Sequence, residues 1–421
     1  MSGALAPPVP ELSLPWRTDE RLEIQAEARR FAAEEVMPLA NELDPQKAEI
    51  PRWFLDRMGE QGYFGITIPK DFGGMGLGVF EYCMITEELA RAWMSVASII
   101  ARAQGMGTQF GDPAERRRRL ELSAKGQWIG AAALSEPDAG SDLANVQTRA
   151  ELDGDEYVIT GTKRWIGHAK SADFIQLLCR VADPGPGEPR SRGLASIVIE
   201  KERGSFPKGL TGEPIDKIGY HGFLTWTLHF DGLRVPAANM VGGRRPRPGP
   251  EGRRDIGSRF AGDGERSTFA ATQAGLNVAR VHTAARAVGL ARGAVEDCIT
   301  YSQSRVQFEH PISDFQAVRF KIAEMAARVE QARAFYRQVA HLIDLGQQCE
   351  KEAAMVKLLA TEMAVEVTGD GIQVHGGNGY TTEYQVERYW RDARLTTIFE
   401  GTSQIQQRII SDRLLPRSPL S

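Results

Sequence analysis

The sequence predicts an α+β protein in which a helical domain, a β domain and a helical bundle follow one another along 421 residues. Apolar residues recur at the spacing of a helical face up to about residue 127. From residue 128 to residue 241, short runs rich in Val, Ile, Thr and Tyr alternate with turn signals, which is typical of strands. Helical spacing returns at residue 269, and long helices with short connections indicate an antiparallel bundle.

The first part of the chain divides into a Pro-rich leader at 1–15, which we expect to be flexible, and a helical domain at 16–127. Within that domain the apolar spacing predicts a first helix that ends before Asp44-Pro45. It also predicts one long helix that runs from Tyr82 to Ala103.

The middle β domain at 128–241 is predicted to be of barrel or sandwich type. Asp153-Gly154 between alternating segments is a hairpin signal, and 196–200 and 225–230 are further strand candidates. The segment 242–268 is too rich in Gly, Arg and Pro to pack a core, so we expect an exposed, flexible insertion there.

The C-terminal bundle at 269–421 ends in a helix whose start carries a Ser403/Gln406 pair that fits a capping box. Glu400 lies just before that start, either as a solvated turn residue or as a base at the mouth of a pocket. The predicted bundle helices cover 269–303, 314–345, 350–374, 383–396 and 403–414.

Composition excludes several classes of function. A net charge of −4 offers no attraction to nucleic acid or to an anionic membrane, and 42% hydrophobic with 25% charged residues is typical of a globular protein. No apolar run reaches the roughly 20 residues of a membrane span, and no signal peptide is predicted, so we expect a cytoplasmic protein. Neither the four cysteines nor the seven histidines have metal-ligand spacing, so no metal site is predicted.

Three polar segments could bind a ligand at the domain edges. Residues 134–142 are rich in small polar side chains, residues 163–168 place Trp165 beside glycine, and residues 373–380 end a helix with glycines. Each segment has a simpler explanation as a turn, a core tryptophan or a helix cap. No glycine-rich dinucleotide fingerprint and no phosphate-binding loop occurs in the sequence.

Together these segments resemble the acyl-CoA dehydrogenase family, in order, from about residue 19 to residue 414. The resemblance implies an N-terminal helical domain, a middle β-barrel domain and a C-terminal four-helix bundle, in agreement with the apolar patterns. The motifs that carry the resemblance are Ser-Glu-Pro-x-Ala-Gly-Ser-Asp at 135–142, Lys-x-Trp-Ile at 163–166, Arg305-x-x-Phe308, Gln316, Gln373-x-His-Gly-Gly377, Arg391-Asp-Ala and Glu400-Gly-Thr402.

The resemblance implies FAD as cofactor, an acyl-CoA thioester as substrate and an electron-transfer flavoprotein as acceptor. It also implies a homotetramer built as a dimer of dimers, because the adenine half of FAD is bound partly across a subunit interface. The implied residues near the flavin are Leu134, Ser135, Trp165, Gly167, Thr402 and Gln404. Those for the adenine half are Arg305, Phe308, Gln316, Gln373, Gly376 and Gly377.

For the reaction, the resemblance implies that Glu400 removes the α-proton while the β-hydride passes to flavin N5. Some members carry the base instead on the first bundle helix before an arginine, but that position here is Ala279, followed by Arg280. Arg280 either steadies the active-site carboxylate or forms a surface salt bridge. Ser141 and Gly401 are assigned to the substrate.

Two positions depart from the family pattern. Gly167 stands where many members place a hydroxyl near flavin N5, and Glu309 stands where glycine follows the phenylalanine. We therefore leave the hydrogen bond at flavin N5 open.

Arg102 interrupts an apolar stretch that lines the acyl pocket in the family, so it either pairs with an acyl carboxylate or reaches solvent or a structural partner. Residues 165–169 and 210–215 resemble members that act on methylsuccinyl-CoA. We therefore expect a short branched or dicarboxylic acyl group. The alternatives are an acyl-CoA oxidase that uses O2 and a flavin-free acyl-CoA-binding protein of the same fold.

Overall fold

The computed structural model describes residues 16–241 and 268–415, with side chains in the first bundle helix described from residue 275 onward. The predicted leader at 1–15 and the predicted insertion at 242–268 lie outside these residues, except for Thr268, which begins a helix.

The N-terminal part is helical, as predicted, but the long helix expected from Tyr82 to Ala103 is broken at Trp93. Trp93 is extended, with φ −157° and ψ 116°, and its buried ring lies where a Cβ on Gly222 would be 2.3 Å away. Packing of this tryptophan therefore overrides the local helical pattern. The helices are α1 (Asp19–Phe31), α2 (Met37–Leu43), α3 (Arg52–Glu60), α4 (Val79–Ala92), α5 (Met94–Ile99) and α6 (Pro113–Ala124).

The middle part forms one mostly antiparallel eight-stranded sheet, in the order β6-β7-β3-β2-β4-β5-β8, with β1 parallel to β4. The predicted hairpin is confirmed, because Asp153 pairs with Glu156 around a left-handed Gly154. The strands are β1 (Gly130–Ala133), β2 (Arg149–Asp153), β3 (Glu156–Gly167), β4 (Phe174–Arg180), β5 (Leu194–Glu200), β6 (Leu210–Pro214), β7 (Thr225–Pro236) and β8 (Met240–Val241).

The C-terminal part is a bundle whose helices agree closely with the predicted ranges. A short hairpin, β9 (Val306–Gln307) and β10 (His310–Pro311), joins its first two helices. The bundle helices are α7 (Thr268–Ser304), α8 (Gln316–Asp344), α9 (Glu350–His375), α10 (Val386–Thr396) and α11 (Ser403–Leu414).

The two helical parts share a single hydrophobic core, whereas the sheet has its own. A loop of the β domain at 216–224, which we call the bridging loop, contributes Tyr220 and Phe223 to the helical core. The Tyr220 backbone N–H donates to Asp392 Oδ1 at 2.6 Å, and the Ile50 N–H donates to the Gly222 carbonyl at 3.0 Å. The bridging loop thus joins the sheet to both helical parts.

The β9–β10 hairpin turns on two non-glycine residues in left-handed conformations, Phe308 with φ 51° and Glu309 with φ 70°. Such a turn favours glycine, since a side chain in this region of backbone space is strained. The departure noted at Glu309 therefore carries a conformational cost.

Glu309→Gly is expected to raise the free energy of unfolding by about 1 kcal/mol, because glycine adopts a left-handed conformation without the Cβ clash. Thermal or urea unfolding measures the change. Gln307→Gly, in the adjacent strand, is the control and should not raise the free energy of unfolding. An unchanged or lower stability for Glu309→Gly would show that the turn is not strained at this residue.

Candidate active site

Glu400 lies in the connection between α10 and α11, on a turn in which it and Gly401 are both left-handed, with φ 54° and 89°. The predicted capping box at Ser403 is wrong. The N-cap is Thr402, whose Oγ1 accepts from the Ile405 N–H at 3.3 Å, and Ser403 is the first helical residue. The Ser403 hydroxyl donates to Glu362 instead.

Two buried donors hold this turn at the Gly401 carbonyl. Lys357 Nζ on α9 donates to it at 2.7 Å, and Gln406 Nε2 on α11 donates at 2.8 Å. The Lys357 side chain is 0% exposed. Because both donors come from packed helices, the backbone that carries Glu400 has one defined geometry.

The Glu400 carboxylate is half-buried, and within residues 16–241 and 268–415 it has no hydrogen bond or ion pair of its own. It nevertheless lies within electrostatic reach of three cations, Arg280, Arg286 and Lys357. Its backbone N–H likewise donates to no group in the described residues. A carboxylate held in this way, with a free N–H beside it and positive charge around it, does not resemble a solvated turn residue.

Arg280 is buried on α7, and its guanidinium donates to Asn277 Oδ1 at 2.7 Å. Burial lowers the pKa of Arg280, and the Glu350 and Glu400 charges act against that lowering. The surface salt bridge that the sequence left open is therefore not what forms here. Arg280 faces the same space as Glu400.

The loop after β1 is tied to β3 by a buried ion pair. Lys163 Nζ lies 2.9 Å from Glu136 Oε1 and also donates to the Leu134 carbonyl at 2.7 Å. The Ser135 carbonyl accepts from the Arg164 N–H at 2.9 Å. The backbone at Leu134 and Ser135 is thus fixed beside the segment that carries Trp165.

Trp165 stands on a bulge of β3, where the register with β7 shifts between Lys163 and Ile166. It has a left-handed φ of 69°, and the residue is 55% exposed. It is therefore not the core tryptophan of the simpler explanation. An exposed aromatic ring beside a rigid loop is a suitable platform for a flat ring system.

The presence of glycine at position 167 has a steric explanation. A Cβ at this position would lie 2.0 Å from Phe223 Cε1 in the bridging loop. The space that a serine or threonine would use is therefore occupied by the Phe223 ring.

The residues assigned to the adenine half lie on the outside of the bundle, where no hydrogen bond or ring contact among the described residues joins them to Leu134 or Ser135. Phe308 is 86% exposed, and a Cβ on Gly376 or Gly377 would meet open space. Thr402 and Gln404 line a surface groove with Arg394 and Thr397. Among the residues assigned to the cofactor, the exposed ones are Arg305, Phe308, Gln316, Gln373, Gly376, Gly377 and Gln404.

Of the two remaining substrate assignments, Ser141 is exposed in the turn after β1, beside an Asp142–Arg190 ion pair. Arg102 is half-buried, with its guanidinium 5.5 Å from the Phe223 ring centroid. Its Nε is buried without a hydrogen-bond partner among the described residues. Arg102 thus has an aromatic neighbour and, in the part of the chain that the structure describes, no carboxylate partner.

The sequence reasoning missed Lys357, Arg286 and Phe223. Lys357 and Arg286 interrupt apolar helical faces, and a charged residue at such a position was the available signal. Phe223 carried no signal, because its role depends on a contact with Gly167 across the sheet and the bridging loop.

The fixed Leu134–Ser135 backbone, the exposed Trp165 and the open glycines at 376 and 377 fit a large cofactor with a flat ring. Among the described residues, no group of three or more His, Cys, Asp or Glu side chains could hold a metal ion. No helix in that part of the chain combines the length and apolar character that a membrane crossing requires.

Comparison with known proteins assigns all three parts of the chain. Residues 18–127 match the acyl-CoA dehydrogenase N-terminal domain, residues 131–233 the middle domain and residues 269–415 the C-terminal domain. The chain is 36% identical over 406 residues to (2S)-methylsuccinyl-CoA dehydrogenase of Cereibacter sphaeroides, covering 94% of this chain and 70% of the relative. It is 33% identical over 404 residues to 3-(aryl)acrylate reductase of Clostridium sporogenes, covering 94% and 99%.

Among solved structures, butyryl-CoA dehydrogenase from Megasphaera elsdenii superposes with a TM-score of 0.82 at 29% identity. The match covers 95% of this chain and 99% of that one. The predicted fold class is confirmed by these matches.

Lys357 provides a test of the electrostatics around the Glu400 turn. Burial lowers its pKa from 10.5 to about 7, with the Glu400 and Glu362 charges acting in the opposite direction. Between about pH 7 and pH 10.5 the unfolded chain therefore binds more protons at this residue than the folded chain, so folding becomes more favourable as pH rises.

Lys357→Met should remove this pH-dependent gain. We expect the difference in free energy of unfolding, wild type minus variant, to increase between pH 7 and pH 10, as measured by urea unfolding at several pH values. Lys351→Met on the same helix is the control, and its difference from wild type should stay constant. A constant difference for Lys357→Met would show that this ammonium is not desolvated in the folded protein.

Proposed function

The chain belongs to the acyl-CoA dehydrogenase family, and from that premise we propose that it oxidises an acyl-CoA thioester to the trans-2-enoyl-CoA with Glu400 as the base. As a member of the family it is an FAD-dependent oxidoreductase that acts on acyl-CoA. The observation that carries the proposal is the geometry at Glu400: a carboxylate on a rigid left-handed turn that has no ion pair among the described residues and lies within electrostatic reach of the buried Arg280 and Arg286.

Removal of a weakly acidic α-proton needs a base near the α-carbon and stabilisation of the negative charge that develops on the thioester oxygen. Glu400 supplies the base. Its free backbone N–H supplies a hydrogen-bond donor for the thioester oxygen. FAD, when bound, supplies the acceptor for the β-hydride.

The positive surroundings support this assignment. Arg280 and Arg286 keep positive charge near the site where the enolate forms, and a half-buried site strengthens that interaction. Lys357 also positions the turn through the Gly401 carbonyl. Gly401 and Ser141 complete the proposed contacts with the substrate.

For the cofactor we assign the flavin to the fixed loop at Leu134 and Ser135, the exposed Trp165 and the groove at Thr402 and Gln404. Gly167 leaves the flavin N5 position without a side-chain hydroxyl. The adenine half is assigned to Arg305, Phe308, Gln316, Gln373, Gly376 and Gly377.

The adenine-half residues support a homotetramer, built as a dimer of dimers. Among the described residues no hydrogen bond or ring contact joins them to the flavin loop of their own chain, and large apolar side chains are exposed on the same part of the bundle. Such patches typically mark contact surfaces. Exposed apolar side chains on or near this surface are Val306, Phe308, Phe320 and Tyr380.

We propose an electron-transfer flavoprotein as the acceptor and the cytoplasm as the location. The four cysteines are buried free thiols, which agrees with a reducing compartment. The acyl group is proposed to be short and branched or dicarboxylic, supported by the similarity to methylsuccinyl-CoA dehydrogenase and by Arg102 in the region of the acyl chain.

Glu400→Gln is expected to retain FAD but to lose reduction of the flavin by acyl-CoA, because an amide cannot accept the α-proton. Anaerobic bleaching of the flavin spectrum by a panel of acyl-CoA thioesters measures this. Glu366→Gln, on the exposed face of α9 beside Arg328, is the matched control and should be reduced like wild type. Full bleaching of Glu400→Gln would contradict the assignment of the base.

The same preparations separate the alternative functions. Stoichiometric hydrogen peroxide formed in air during turnover would indicate an oxidase, whereas slow peroxide formation and rapid reduction of an electron-transfer flavoprotein support a dehydrogenase. A protein that purifies colourless and takes up no added FAD would indicate an acyl-CoA-binding protein.

A further inference from the structure

Arg286 on α7 is a buried cation without a carboxylate partner in the described residues. It is 4% exposed, and its guanidinium donates to the hydroxyls of Ser98 at 2.8 Å and Thr283 at 2.7 Å. The Phe399 ring centroid lies 4.6 Å from the guanidinium carbon, and Nε has no partner among these residues. A buried guanidinium held by two neutral hydroxyls is incompletely compensated.

The same helix shows what a compensated arginine looks like in this protein. Arg292, six residues further along α7, is equally buried but lies 3.0 Å from Glu87 and 2.5 Å from Glu88. Arg286 is buried to a similar extent but forms no ion pair with a carboxylate of the described residues. This difference between Arg292 and Arg286 indicates that Arg286 is suited to bind an anionic group of a ligand.

Arg102 brings a second guanidinium to the same space. A continuous row of aromatic rings joins the two guanidinium groups. Arg102 lies 5.5 Å from the Phe223 ring centroid, and Arg286 lies 4.6 Å from that of Phe399. The Tyr220 ring lies between these two rings, 5.1 Å from Phe223 and 6.2 Å from Phe399. Arg102 also forms no ion pair within residues 16–241 and 268–415, and its Nε is buried. Two arginines from different elements therefore converge on one region.

The side chains around the two arginines do not balance their charge. Burial raises the pKa of Tyr82 and Tyr220, so both phenols stay protonated. Burial and the two guanidinium groups hold the pKa of His282 well below its usual range, so this imidazole is neutral. Glu400 is a carboxylate within electrostatic reach of Arg286, but the proposed reaction requires it as base.

We propose that Arg286 and Arg102 bind a free carboxylate on the acyl chain and that Arg286 is the specificity-determining residue, so that the substrate is a short dicarboxylic monothioester. The inference rests on the proposed function. Guanidinium groups are strong, directional donors to carboxylates, and a closed site strengthens the pair. A neutral acyl chain would instead remove water from both arginines without forming an ion pair or hydrogen bond that compensates for the lost solvation.

The location of Arg286 limits the length of the acyl chain. Phe399, which lies against the Arg286 guanidinium, directly precedes the proposed base in sequence. The carboxylate site is therefore close to the reacting carbons, and a short spacer between thioester and carboxylate fits this arrangement.

The test compares acyl-CoA pairs that differ only in the carboxylate: methylsuccinyl-CoA against 2-methylbutyryl-CoA, and glutaryl-CoA against pentanoyl-CoA. For the wild-type holoenzyme we expect kcat/KM to favour at least one dicarboxylic member. In Arg286→Gln that preference should fall on the order of 10- to 100-fold, the range expected for a hydrogen bond to a charged group. Because loss of the Arg286 charge near Glu400 affects both members of a pair, the readout is the ratio of the two kcat/KM values and not the rate with either member alone.

Arg102→Gln should lower the same preference, and it keeps the proposal testable if Arg286→Gln does not fold. Arg117→Gln, on an exposed ion pair of α6, is the control for general effects of removing an arginine and should leave the preference unchanged. FAD content and thermal unfolding verify that each variant is folded.

Wild-type enzyme that oxidises the neutral members as fast as the dicarboxylic ones would overturn the proposal, while leaving the proposed dehydrogenation supported. Variants that keep the dicarboxylic preference would overturn it as well. A wild-type flavin that no thioester of either kind reduces would contradict the dehydrogenase function itself.

Discussion

Buried positive charge around a single carboxylate is the constraint on which the site depends. Arg280, Arg286 and Lys357 come from α7 and α9, and each lies within electrostatic reach of Glu400. Burial lowers the pKa of all three, so the folded chain holds these cations at a cost. In the proposed function an anionic group of the substrate offsets that cost, so the proposal connects the stability of the bundle to the chemistry of acyl-CoA.

The bridging loop shapes the site, because its Phe223 side chain lies against both Gly167 on β3 and the Arg102 guanidinium. One edge of the ring fills the space above Gly167, and its face lies 5.5 Å from the Arg102 guanidinium. Gly167 and Arg102 are far apart in sequence, but both contact Phe223. Asp392 secures the loop through the Tyr220 N–H, so the arrangement also depends on α10.

Regular elements were predictable because their signals are local. The bundle helices, the Asp153-Gly154 hairpin and the order of the three parts follow from apolar periodicity and turn chemistry. The helix break at Trp93 was not predictable, since its cause is packing against Gly222 of the bridging loop. The N-cap is Thr402, one residue before the predicted Ser403, because the Ser403 hydroxyl donates to Glu362 on another helix.

Site residues show the same division. Glu400 and Trp165 stood out through ordered motifs and family resemblance, whereas Arg286 did not. Its significance lies in a hydrogen bond to Ser98, 188 residues earlier in the chain, and in the absence of a nearby carboxylate among the described residues. Neither can be deduced from spacing along a single helix.

The central claim, that Glu400 removes the α-proton, is tested most directly by proton exchange. Holoenzyme with its flavin reduced is incubated anaerobically in D2O with a dicarboxylic acyl-CoA, and the α-proton signal is followed by NMR. The account predicts that wild type replaces the α-proton with deuterium, whereas Glu400→Gln binds the thioester but does not. Equal exchange by both proteins would contradict it.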